Sequence, residues 1–286
     1  MLLLGLQFFA AIGCAPAVRM LAETQQYGDR KRGITFYVGG AGPIGNVGSL
    51  DVPGGMADAG YEGAVEIFTW QGFTHAGDQM NLSRNRLKAA ELAEEIRKYR
   101  RLYPREKVNI IALSAGTGIA TFAIEHLPEG AWIDRAVFLG CSMSSKYDMT
   151  RALRRVNDAI YVIYSRSDPV LNNLVRYTGT VDRGSGEEGI AGLRGFLPPD
   201  RLGPDTEVQY LKLVNVKHRY DFADAGYEGG HVDCTNRSFI SRYIAKALMG
   251  DDKPLVGPEK EHADRWPWQM SAASEPASKP AISHDR

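Results

Sequence analysis

The most restrictive stretch of this 286-residue chain is Lys107-Val-Asn-Ile-Ile-Ala-Leu113, which runs directly into Ser114-Ala115-Gly116-Thr117-Gly118. Val108, Ile110, Ile111 and Leu113 form an apolar run of strand length, and Ile119 to His126 read as a helix. A strand that stops on a serine and turns at once into a helix holds that serine out of the backbone on a sharp, strained turn. Such a turn admits only small residues two places before and two places after. Ala112 and Gly116 occupy those places, so the pattern is A-x-S-x-G. The alternative reading of Ser114 is a helix N-cap, a role that serine also favours.

The rest of the chain supplies the setting for that turn. Gly33 to Val38, Ala64 to Trp70, Ile133 to Leu139, Ala159 to Tyr164 and Glu207 to Val214 read as strands. Residues 83 to 103 read as a helix, with Leu87, Ala90, Leu92, Ile96, Tyr99 and Leu102 near 3.6-residue spacing and Pro104 as the stop. Shorter helices are expected at Arg151 to Val156 and Arg237 to Leu248. Strands alternating with helices predict an α/β fold, a three-layer sandwich around a mostly parallel sheet. One such domain is expected over residues 28–250, and its 44% hydrophobic composition is enough for a sizeable core. Val170 to Asp205, rich in glycine and charge, reads as a long loop or flap, and residues 251–286 as a disordered tail.

With Ser114 in its elbow, the chain resembles the α/β-hydrolases, over about residues 30 to 250. In that family a serine nucleophile, an acid and a histidine base follow in that order, each after a strand. The resemblance implies Asp168 as the acid, in Ser165-Arg-Ser-Asp-Pro169, and His231 as the base, in Gly229-Gly-His-Val-Asp233. It also implies an oxyanion hole built from the N–H of Ala115 and that of Ala41 or Gly40, in the loop Gly39-Gly-Ala-Gly42. The histidine usual at the start of that loop is replaced by Gly39. The expected activity is hydrolysis of a carboxylic ester or related acyl bond of a small-molecule substrate, with no cofactor. Asp168 could instead simply open a turn before Pro169. His218, between Lys217 and Arg219, is the first rival for the base.

Two other functions compete. Gly40-Ala-Gly-Pro-Ile-Gly45 satisfies G-x-G-x-x-G after a strand, the pattern of a dinucleotide site. That pattern should lead straight into a helix, whereas Asn46, Gly48, Pro53, Gly54 and Gly55 follow. A non-catalytic binding protein of the same fold is the second. The 34 basic and 34 acidic residues balance, which gives no electrostatic footing for nucleic acid.

Leu2 to Gly13 is apolar and of signal-sequence length, so residues 1–17 are read as an export leader. Ala11-Ile-Gly-Cys14 resembles a lipoprotein box with Cys14 as the lipidated residue and a membrane tether. Ala15-Pro-Ala17 offers a plain cleavage site as the rival, and a cytoplasmic enzyme is the third reading. Cys141 and Cys234 should lie near the same edge of the sheet, either paired or as two buried thiols.

Overall fold

A computed structural model of the protein describes residues 27–42, 47–72, 75–184, 189–258, 260–261, 263–264 and 266. The leader with Cys14, residues 43–46 at the end of the glycine-rich stretch, residues 185–188 and most of the expected tail lie outside them.

Six strands form one wholly parallel sheet: β1 (Asp29–Val38), β2 (Gly63–Phe68), β3 (Val108–Leu113), β4 (Ile133–Leu139), β5 (Val156–Tyr164) and β6 (Leu213–Lys217). Their order across the sheet is β2-β1-β3-β4-β5-β6. Because side chains alternate between faces, each strand feeds two cores. Phe36, Ile110, Phe138 and Val162 pack on one side, and Tyr37, Ile111, Val137 and Ile163 on the other. Both faces are apolar, as expected of a parallel sheet covered by helices on both sides.

One face is covered by α3 (Leu82–Leu102), α4 (Gly116–His126), α5 (Thr150–Leu153) and α6 (Pro204–Tyr210). The other is covered by α1 (Asp51–Asp58) and α7 (residues 237–249). A short α2 (His75–Met80) precedes α3. The result is the three-layer α/β sandwich expected from the alternating pattern, with a sheet more uniform than the mostly parallel one anticipated.

Several boundaries differ from expectation for identifiable reasons. The stretch from Glu207 is not strand. Pro204 at the first helical position and Asp205 and Glu207 in the first turn favour α6, and the strand begins only at Leu213. Gly54 and Gly55 suggest loop, yet they lie in α1, where they let the helix approach Arg237 and Ile240 of α7 closely. The Arg237 guanidinium then binds the Asp58 carboxylate at 2.6 and 2.7 Å. In α3 the buried stripe is Ala89, Leu92, Ala93, Ile96 and Tyr99, while Leu87 and Leu102 face solvent.

The expectation of a disordered tail fails for its first part. Leu255 and Val256 are buried, Ala263 pairs antiparallel with Val216, and Asp264 N–H donates to Asn215 O at 3.0 Å. Trp266 stands edge-on to Tyr210 at 5.3 Å. A few well-spaced apolar residues anchor this segment despite its polar composition. At the opposite edge of the sheet, Tyr27 bridges to Val65.

The 170–205 segment is likewise packed. Leu171, Val175, Val181, Ile190 and Phe196 are buried, and short helical turns form at Leu171–Val175 and Ala191–Arg194. Its described parts form a wall docked on residues 141–145.

Candidate active site

From β1 the chain moves outward to β2, and from β3 it moves the other way, to β4, β5 and β6. The loops after β1 and β3 therefore diverge and leave a crevice at the carboxyl ends of these two strands, where open α/β sheets bind ligands. The loop at residues 39–42 follows β1 and Ser114 follows β3, so both border this switch point.

Ser114 has φ +54°, the left-handed region that a residue with a Cβ enters at a cost of about 1–2 kcal/mol. The turn is locked by Ser114 N–H donating to Leu139 O at 2.9 Å, and by Thr117 N–H and Oγ1 donating to Ser114 O at 3.0 and 2.6 Å. The first turn of α4 packs so tightly on the end of β1 that a Cβ on Gly116 would strike the carbonyl oxygens of Val38 and Gly39. Only glycine fits there. Ser114 does not act as the N-cap of α4. That position is Ala115, and it makes no side-chain capping bond.

Asp168 and His231 meet. His231 Nδ1 lies 2.7 Å from Asp168 Oδ2, with both side chains about 2% exposed. A carboxylate can only accept, so Nδ1 is the donor, and in the tautomer that places its one proton there the lone pair is at Nε2. That Nε2 is buried and has no hydrogen-bond partner among the described residues. The turn reading of Asp168 holds as well: its Oδ1 accepts from Val170 N–H at 2.9 Å and Leu171 N–H at 3.0 Å. One oxygen fixes the carboxyl on its own loop and the other orients the imidazole.

Residues not anticipated from the sequence shape this pair. Gly140, φ +50°, directly follows the Leu139 that holds Ser114 N–H, and a Cβ there would lie 3.1 Å from His231 Nδ1. The histidine loop is pinned by Asp233 Oδ2, which accepts from Glu228 and Gly230 N–H at 2.9 and 3.2 Å. Ser165 Oγ and Ser167 Oγ lie 2.9 Å apart beside Gly229, tying the acid loop to the histidine loop. Only Gly140 left a local trace in the sequence, as a glycine at a strand end.

The rival assignments are otherwise engaged. His218 Nε2 donates to Tyr227 O at 3.0 Å and its ring packs edge-on against Tyr227. Gly42 N–H of the G-x-G-x-x-G stretch is bound to Asp78 Oδ2, and residues 43–45 of that stretch lie outside the described residues. Cys141 and Cys234 are both buried free thiols. Burial pushes Cys141 up to about 12, and raises Cys234 well above the ordinary thiol range.

Ala115 and Ala41 are fully buried at the two sides of the crevice. Met143 and Leu171 are buried, and Tyr147 packs on the core while donating to Glu125 Oε1 at 2.8 Å. Among the described residues no cluster of metal-ligating side chains occurs, and no helix is long and apolar enough to cross a membrane.

No family model and no curated protein matches this chain. Among solved structures it is similar to lipase B from Aspergillus fumigatus, at 13% sequence identity and a TM-score of 0.45, over 79% of this chain and 54% of that one. The chain thus spans about half the length of that lipase.

Proposed function

We propose that this protein is a serine hydrolase that cleaves a carboxylic ester through an acyl-enzyme. The observation that carries the reading is the buried Asp168–His231 pair with its vacant Nε2, at the same sheet edge as a serine held at φ +54°. In this reading Ser114 Oγ attacks the acyl carbon while His231 Nε2 takes the hydroxyl proton. The resulting imidazolium is stabilised by Asp168. Collapse of the tetrahedral intermediate breaks the ester C–O bond, and His231 returns the proton to the departing alkoxide. Water, activated by the same nitrogen, then releases the acid.

The negative oxygen of the intermediate would lie between Ala115 N–H and the N–H of Ala41 or Gly40. Donors fixed before the reaction stabilise that charge more effectively than water, which must reorient. Ala115 also opens α4, whose dipole favours a negative charge at this end. Thioester and amide substrates would use the same groups, because fold and triad do not fix the acyl acceptor.

The test is labelling of the purified protein with a fluorophosphonate, wild type beside Ser114→Ala. Labelling that disappears in the variant is the expected result. A well-folded wild type that does not label would sink the reading and leave a binding protein of this fold. Export with a tether at Cys14 is a separate proposal, supported by residues 2–17 alone. Fractionation of expressing cells, with Cys14→Ser as control, tests it: a chain that stays in the cytoplasm overturns export, and equal membrane association of both forms overturns the tether.

A further inference from the structure

The loop expected to supply the second oxyanion donor lacks a bracing histidine, yet its successive peptide groups are held from outside. Trp70 Nε1 donates to Gly39 O at 2.8 Å, Gln71 Nε2 donates to Gly40 O at 3.1 Å, and Gly42 N–H donates to Asp78 Oδ2 at 2.9 Å. A peptide unit is planar and trans, so the direction of a carbonyl fixes the N–H across its C–N bond, pointing the opposite way. Holding Gly39 O therefore aims Gly40 N–H, and holding Gly40 O aims Ala41 N–H. Both are directed away from the side chain that holds the carbonyl.

The holding groups are themselves fixed. Asp78 is 1% exposed, and its Oδ1 accepts from Gly72 N–H and from Arg84 Nη1, each at 2.7 Å. Arg84 Nη2 donates to Trp70 O at 2.6 Å, and Asn85 Nδ2 donates to Asp78 O at 2.7 Å. Gln71 Oε1 accepts from Trp70 N–H at 3.2 Å, so neither end of its amide is left free. The buried Asp78 carboxylate is thus matched by one guanidinium and two backbone donors, and the same guanidinium closes the circuit back to Trp70.

We propose that Trp70, Gln71, Asp78 and Arg84 form a positioning unit for the oxyanion-binding N–H groups, with Gln71 aiming that of Ala41. The inference rests on the serine hydrolase reading. These residues act through the backbone of residues 39–42 and are not placed on the reacting atoms. Gln71 is the informative member, because it is partly exposed and contributes little to the core. Its loss frees one peptide plane, which must then be reoriented in every turnover.

The test compares wild type with Gln71→Met, which keeps the side-chain length and removes the N–H donor. The readouts are kcat and KM for p-nitrophenyl butyrate, inhibition by phenylboronic acid as a tetrahedral adduct of Ser114, and the melting temperature. The expected result is a fall in kcat of about 10- to 100-fold, with KM within about twofold. Boronate inhibition should weaken by the same factor as kcat/KM falls, which a purely structural role would not produce. Asp78→Asn, read by the same ratios, serves if Gln71→Met folds poorly. Folded variants with kcat within twofold of wild type overturn the positioning unit while leaving the hydrolase reading intact. A wild type that takes no fluorophosphonate overturns both.

Discussion

The loop at 39–42 and the 170–205 wall are built on different principles. The loop at 39–42 is held by side chains that arrive from elsewhere: an indole, a carboxamide and a carboxylate, each gripping a backbone group. The 170–205 wall is held on residues 141–145 mostly main chain to main chain, with one side-chain bond from Ser144 N–H to Asp182 Oδ1 at 2.9 Å. Gly192 N–H donates to Cys141 O at 2.7 Å, Ala191 N–H to Met143 O at 2.9 Å, Ser145 N–H to Gly189 O at 3.0 Å and Leu197 N–H to Ser145 O at 2.7 Å. Backbone bonds do not depend on which side chain is present, so the second wall can vary in sequence wherever a Cβ has room, which excludes Gly192. The first can be disconnected by a single side-chain change without disturbing much of the core.

Substitutions can break or sharpen that contrast. The largest expected effect belongs to the proposed base. His231→Ala should lower kcat by roughly three to six orders of magnitude, leaving the catalysis supplied by the oxyanion hole and binding. A loss under about tenfold in steady-state ester hydrolysis would remove His231 from that role. Next comes Trp70→Phe, which keeps the aromatic ring and deletes the N–H to Gly39 O. A drop in kcat of about tenfold is expected. Its size relative to Gln71→Met tells whether Gly40 or Ala41 supplies the donor, and no change in either variant would erase the distinction between the walls.

On the main-chain wall, Gly192→Ala would set a Cβ 2.6 Å from the Cys141 backbone nitrogen and oxygen. Overpacking of that kind costs about 1–3 kcal/mol, which in calorimetry corresponds to a melting point lower by roughly 2–12 °C. An unchanged melting point would mean that the ladder to 141–145 tolerates separation. Leu193→Ala on the same wall removes only a half-buried side chain packed on Leu171, Val175 and Ile190. Ester turnover should stay within about twofold, consistent with the ordinary range for positions outside a buried network. The smallest effect is expected at the thiols. Both buried cysteines should resist an aromatic disulfide reagent at pH 8 in the folded Cys14→Ser protein and react on unfolding, because burial holds Cys141 at about 12 and Cys234 well above the thiol range. Rapid reaction of Cys141 in the folded state would show the 141–145 wall opening.

What could be read from the sequence was local. Ser114 follows an apolar run and precedes a helix, Asp168 follows Tyr164, and His231 sits among glycines before a helix, so each candidate is marked by its immediate neighbours. The positioning unit had no such mark. Asp78 lies 36 residues from Gly42, and Trp70 31 from Gly39, and nothing in their spacing predicts a bond. Helix α1 was hidden for a related reason. Gly54 and Gly55 argue against a helix by propensity, and only contact with Arg237 and Ile240, far along the chain, makes their missing side chains an advantage. The segment from Asp251 to Trp266 looked unable to build a core because composition averages over Leu255, Val256 and Trp266, the few residues that dock.

The bridges at the two margins of the sheet bear on how the protein behaves in company. An outer strand normally offers a row of amides and carbonyls onto which another polypeptide can add itself, a route to fibres and mispaired dimers. Here the chain has partly filled both openings with its own backbone. Tyr27 is laid on Val65 at one margin, and Ala263 on Val216 at the other, with Asp264 reaching across to Tyr164. The segments flanking the α/β body thus serve as selvedges, finishing the sheet so that neighbouring molecules find less to zip onto.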